Sequence, residues 1–126
     1  MRLKIILPSG IFLDRRVDRI RAESSRGGFC LLPRHIDIAS ALVPGILTYF
    51  ENGKPVHLAV DSGLLVKQGD LVRVSARAAV AGELGELQLE VERMQTDASE
   101  AEKSARSAVA KLEAGFVRGL IEVETR

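Results

Sequence analysis

The chain has 126 residues, 46% of them hydrophobic and 28% charged, a composition that excludes wholesale disorder and allows one ordinary domain or a small domain with an appendage. Its net charge of +1 conceals an asymmetry: residues 1–82 carry 12 Lys and Arg against 7 Asp and Glu, and residues 83–126 carry 6 against 10, which suggests two modules attracted to each other. A single cysteine, Cys30, excludes an internal disulfide and a multi-cysteine metal site, and its apolar neighbours place it in the core.

At the start, Leu3, Ile5 and Leu7 alternate with Lys4 and Ile6 until Pro8-Ser9-Gly10, the pattern of a strand and a turn. That early stop is unlike a secretory signal, and no segment approaches the roughly 20 apolar residues of a membrane span. The expected location is therefore the cytoplasm, with docking on a membrane complex left open. A second strand is expected over Ile11 to Arg16. Val17, Ile20 and Ala22 then belong to a third, with Arg19 and Arg21 on its other side and a bulge where Val17 to Ile20 breaks period two.

Ser24-Ser25-Arg26-Gly27-Gly28 reads as a flexible turn and Phe29 to Leu32 as a short buried strand. LLPRHIDIASALVPGIL, Leu31 to Leu47, is apolar except for two prolines, an Arg-His pair and an aspartate, and reads as a strand, a tight corner and a second strand. Pro33 and Pro44 end strands because proline donates no ladder hydrogen bond. Ile36, Ile38, Ala41 and Leu42 are expected to plug the end of the domain, leaving Arg34, His35 and Asp37 to face partners.

Asn52-Gly53 is the strongest hairpin signal, since both central residues of a type I′ turn need positive φ. Gln68-Gly69-Asp70 marks another, between Leu64 to Lys67 and Leu71 to Ala76. About eight strands with such frequent turns imply a sandwich or barrel.

From Gly82 the period changes. Leu84, Leu87, Val91 and Met94 recur as one helical face requires. Asp97-Ala98-Ser99-Glu100 reads as a capping box that opens a second helix, with Ala101, Ala105, Ala108, Leu112, Phe116 and Leu120 as its stripe. The fold class is therefore α+β: a β-sandwich over residues 1–81, then a helical hairpin, or one helix kinked near Asp97, over residues 82–126. The alanine-rich stripe buries little area per residue, so this module is expected to dock and undock, in a salt-sensitive way.

The residues show no reaction. His35 lies near Asp37 and Ser40, but no G-x-S-x-G elbow occurs, and the simpler reading is a hydrogen-bonding histidine in a corner. His57 is expected to pair across the sheet. No metal-ligand spacing or phosphate loop is present, so no cofactor is expected. The run Leu65 to Val72 is similar to turns of biotinyl and lipoyl carrier domains, but Lys67 lacks their surroundings and reads as part of a hairpin. Arg15, Arg16, Arg19, Arg21, Arg26 and Arg34 raise the alternative of a nucleic-acid-binding barrel. With aromatics at 4% there are few stacking platforms, and a protein-facing basic edge is the better reading.

This order of elements resembles the epsilon subunit of F-type ATP synthases over nearly the whole length. The most specific part is Gly27 to Gly45, GGFCLLPRHIDIASALVPG, similar to the family's G-x-x-G-[IV]-x-P-G-H-x-P-x-x-[TS]-x-[IL]-x-P-G. RLKIILPSG, Val17-Asp18-Arg19-Ile20, and Val60 to Val66 beside V-S-G-G-F-[VL]-E-V support it. Arg34 and Cys30 stand at family glycines and Asp37 at a family proline, which suggests a divergent member, of the alternate N-type branch. Lys103 to Ala108 only loosely resembles the family's ATP-binding segment, so nucleotide binding is not carried over.

The resemblance implies a non-catalytic rotor subunit with a sandwich of about ten strands at the foot of the central stalk, bound to the gamma subunit and the c-ring. It implies a helical module that inhibits ATP hydrolysis by extending along gamma towards the alpha and beta subunits. It places His35 at a gamma-facing corner and Ser25 to Gly28 in a loop near the c-ring. The expected interface is Arg26, Gly27, Gly28, Arg34, His35 and Asp37.

Overall fold

The structure, a computed structural model, describes residues 1–100, 103 and 104. Alternating apolar residues become strands wherever one face has a core to meet. In β1 (Arg2–Leu7) Leu3 and Ile5 are fully buried, whereas β2 (Gly10–Arg16) is an edge strand whose residues are nearly all exposed, as its Asp-Arg-Arg end requires. There follow β3 (Arg19–Ser24), β4 (Gly27–Leu31), β5 (Ile38–Leu42), β6 (Gly45–Glu51), β7 (Lys54–Val60), β8 (Gly63–Gln68), β9 (Leu71–Ala76) and β10 (Ala79–Ala81).

They pair in the order β10-β7-β6-β3-β5-β8-β9-β1-β2, with β4 also on β3. Only β1 and β9 run parallel among these pairs. Leu3, Ile5, Val72 and Val74 from one stretch of this path share a single core cluster with Ile20, Leu47, Tyr49, Leu58 and Val60 from the other. The sheet is thus folded on itself into a sandwich.

A second apolar cluster lies on the opposite face of β6 and β7. Residues 84–100 are helical, and Leu87, Val91 and Met94 cover Ala59 together with Ile46, Ala78 and Val80. This explains the unbroken run Leu58-Ala59-Val60: Leu58 and Val60 face the sandwich core while Ala59 faces the helix. Leu84, expected on the same helical face, is 43% exposed because it precedes the covered turn. Two compact units result, Met1–Gln95 and Thr96–Arg126, so the first helical turns belong with the sheet.

Several expectations need correction. Val17 is buried but lies outside β3; its N–H donates to Met1 O, and the chain breaks between β2 and β3 where a bulge was expected. In β4 only Leu31 is buried, since Cys30 points to the outer face and Leu32 lies beyond the last ladder pair at 53% exposure. Ile36 is 77% exposed and Ala41 is exposed as well, leaving Leu42 and half-buried Ile38 to close the core. The helix runs through Asp97 to Glu100 without a break, so the capping-box residues sit inside it; the expectation of a second helix falls mostly on residues outside those described.

Candidate functional site

The six expected interface residues fall into two groups at opposite ends of β4, a five-residue strand, and so stand about 13 Å apart along it. Arg26 lies in the β3–β4 turn and Gly27 and Gly28 open β4, and all three are exposed. Ser24 Oγ closes that turn, donating to Gly27 O at 3.0 Å and accepting from Arg26 N at 3.2 Å. Gly27 has φ +114°, a conformation that side chains rarely adopt.

Arg34, His35 and Asp37 lie in the corner between β4 and β5. The His35 N–H donates to Leu32 O at 2.9 Å, and Nδ1 is 2.8 Å from Ile36 O. Because a carbonyl only accepts, that Nδ1 carries a proton. Asp37 Oδ1 accepts from Gly69 N at 2.7 Å, so its carboxylate is held against the β8–β9 turn while Arg34 stays exposed.

Beneath the corner is a residue that sequence reading placed in a simple hairpin. Lys67 is 2% exposed, and its Nζ donates to His35 O at 2.6 Å and Gly69 O at 2.7 Å. It pairs with Ile38 at the start of β5 and shares the inward face of β8 with Leu65. A buried ammonium is tolerated only when its hydrogen bonds are satisfied, and its stem buries like any apolar chain. The signal was present in the alternation of Leu65 and Lys67, but a charged residue at an inward position reads as an exposed one until the acceptors are seen.

The geometry removes the catalytic alternative. Ser40 Oγ donates to the Ala41 carbonyl, Asp37 binds a backbone amide and His35 binds its neighbour's carbonyl, so no triad converges. Cys30, Arg21, Thr48 and His57 form one row of direct partners across β4, β3, β6 and β7, lining a groove of about 390 Å³. His57 Nδ1 meets Thr48 Oγ1 at 2.7 Å, the cross-strand pairing expected for it. With two strands between them, Cys30 and His57 are about 14 Å apart and cannot act as a dyad. Among the described residues no three His, Cys, Asp or Glu side chains could hold a metal.

The arginines are also dispersed. Arg15 pairs with Glu51 at 3.6 Å, Arg16 with Asp70 at 3.4 Å, and Arg19 lies over the Phe50 ring at 3.9 Å. Arg2 forms two bonds of 2.7 Å to Asp14, and this hydrogen bonding holds the Asp14 carboxyl below its usual range. No helix among the described residues is long and apolar enough to cross a membrane.

Residues 1–82 match the family described as ATP synthase, Delta/Epsilon chain, beta-sandwich domain. The chain is 34% identical to ATP synthase epsilon chain 2 of Cereibacter sphaeroides, over 96% of its own length and 86% of the relative's. It is 36% identical to the ATP synthase epsilon chain of an Anaeromyxobacter species, over 67% of its length and 64% of that relative, less than two thirds of it. Its fold is like that of a chain in the mitochondrial ATP synthase of Euglena gracilis, with TM-score 0.60 and 22% identity over 72% of this chain and 61% of that one. A chain of the Tetrahymena thermophila mitochondrial ATP synthase central stalk and c-ring gives TM-score 0.57 and 12% identity, covering 78% and 95%.

Proposed function

The chain belongs to the ATP synthase delta/epsilon family, and from that premise we propose that its two exposed groups serve two partners, the corner at Arg34 and His35 meeting gamma and the turn at Arg26 to Gly28 meeting the c-ring. It is a non-catalytic epsilon-type subunit of an ATP synthase, in which the sandwich couples rotor parts and carries out no chemistry of its own. The observation that carries the two-partner reading is the separation of these groups to opposite ends of β4.

Exposure supports the corner as a contact. Leu32, Arg34 and Ile36 are displayed together outside the ladder, an apolar pair flanking a cation, the residue mix of an interface centre. We place the complex at the cytoplasmic face of a bacterial plasma membrane, with the subunit peripheral to it. The residues beyond Gln95 are assigned the regulatory role, restraint of ATP hydrolysis.

The test is ATP hydrolysis by the complex reconstituted with the full chain or with a chain ending at Gln95, which keeps Leu87, Val91 and Met94 over the sheet. Faster hydrolysis with the shortened chain, still bound to gamma, is the expected result. Equal rates would leave coupling as the subunit's role and remove the regulatory one.

A further inference from the structure

The corner of residues 32–37 lies between β4 and β5 and has no strand partner of its own. Its internal hydrogen bonds are local, from His35 N to Leu32 O and from His35 Nδ1 to Ile36 O. Local bonds of this kind leave a loop free to change shape as a unit. What ties it to the sheet is a ring of four residues: His35 and Asp37 from the corner, Lys67 and Gly69 from the β8–β9 hairpin. Gly69 is gripped at both ends, its N–H by Asp37 and its carbonyl by Lys67.

Lys67 is the largest fully buried side chain among the described residues, at an inward strand position where Leu65 is the neighbouring core residue. An apolar side chain there would fill the same space but leave the carbonyls of His35 and Gly69 without a donor. A buried ammonium therefore does something packing alone cannot: it reaches two backbone segments at once and fixes their separation.

We infer that Lys67 is the positioning residue of the partner-facing corner, its buried ammonium fixing, with Asp37, the backbone that presents Leu32, Arg34 and Ile36. This rests on the reading of the corner as the gamma contact. It specifies that contact further: the partner surface is apolar opposite Leu32 and Ile36, which are 53% and 77% exposed, and carries a carboxylate opposite Arg34. Lys67 itself touches no partner, so its effect is transmitted through the His35 carbonyl.

The experiment compares the full chain with Lys67→Met, Ile36→Ser and Arg34→Glu, measuring affinity for the gamma subunit and amide hydrogen exchange. Lys67→Met is expected to speed exchange at His35 and Gly69 at least tenfold beyond the common rise that lost global stability gives Leu47 and Tyr49, and to weaken gamma binding about tenfold. Ile36→Ser and Arg34→Glu are expected to weaken binding with no change in exchange at Gly69. If those two weaken binding and Lys67→Met does not, the positioning role is overturned while the interface stands. If neither of the two changes affinity, the corner is not the contact and the inference falls with that reading. Should Lys67→Met not fold, Lys67→Gln retains a donor for one of the carbonyls and is scored by the same outcomes.

Discussion

The two ends of the sandwich are built by different means. At the corner end, a buried ammonium and a carboxylate bind the β4–β5 loop to the β8–β9 turn through side chains. At the other end, the β3–β4 turn is closed by Ser24 and by backbone that only glycine adopts readily, and Gly63 lets β8 approach β9 closely. Shape at the glycine end is set by the absence of side chains, and at the corner end by one side chain reaching between segments. The first kind of end fails when atoms are added, and the second when they are removed.

The largest effect should come from adding one methyl group at the glycine end. A Cβ on Gly63 would collide with the Ser75 carbonyl oxygen inside the β8–β9 ladder, which cannot retreat without breaking the register. Gly63→Ala should lose more than about 4 kcal/mol, the range reserved for a specific structural conflict. Denaturant unfolding would measure it, and a loss under 1 kcal/mol would mean that the strands move apart readily.

Removal at the corner end should come next. Lys67→Met takes the donor from two part-buried carbonyls, and at about 1–3 kcal/mol for a fully buried group left unpaired a total loss of about 2–3 kcal/mol is expected. The same unfolding measurement applies, and a neutral result would show that water replaces the ammonium.

A smaller change sharpens the contrast. Gly27 has φ +114° but open space around a would-be Cβ, so Gly27→Ala carries strain without collision and should lose about 1–2 kcal/mol. Its thermal midpoint should fall between those of the parent chain and Gly63→Ala.

The smallest effect is electrostatic. The hydrogen bond from Arg2 lowers the folded Asp14 pKa, so its contribution is present above the unfolded value of about 3.9 and is lost as pH falls through the folded one. Both groups are solvent-exposed, and screening keeps the effect modest. The stability difference between the parent chain and Arg2→Gln should therefore exist at pH 7 and fade in the acid limb below about pH 4. A difference constant with pH would assign it to packing by the arginine stem.

Much of this was legible in the sequence because local rules and tertiary packing agree. Leu3 and Ile5 alternate onto a real core, Asn52-Gly53 turns β6 into β7 with φ values of 53° and 78°, and Leu87, Val91 and Met94 meet the sheet as their spacing demands. Local patterning showed about eight strands where the described residues hold ten, because β5 and β10 are short and weakly patterned. Cys30 and Ile36 were misplaced for one reason: both are apolar residues whose exposure depends on which face or loop they occupy, and hydrophobicity alone does not specify that. Lys67 was missed for the opposite reason, since its partners are carbonyls whose positions exist only in the folded chain. The corner was recognisable from Pro33, Arg34 and His35; the ring that holds it was not.

The most direct test of the central claim is the affinity of the full chain for the gamma subunit of its own organism, measured beside a variant with Arg34→Glu and His35→Glu together. Tight binding by the parent and at least tenfold weaker binding by the variant is the predicted result. Failure of the parent chain to bind gamma at all would contradict the assignment of this subunit to the central stalk.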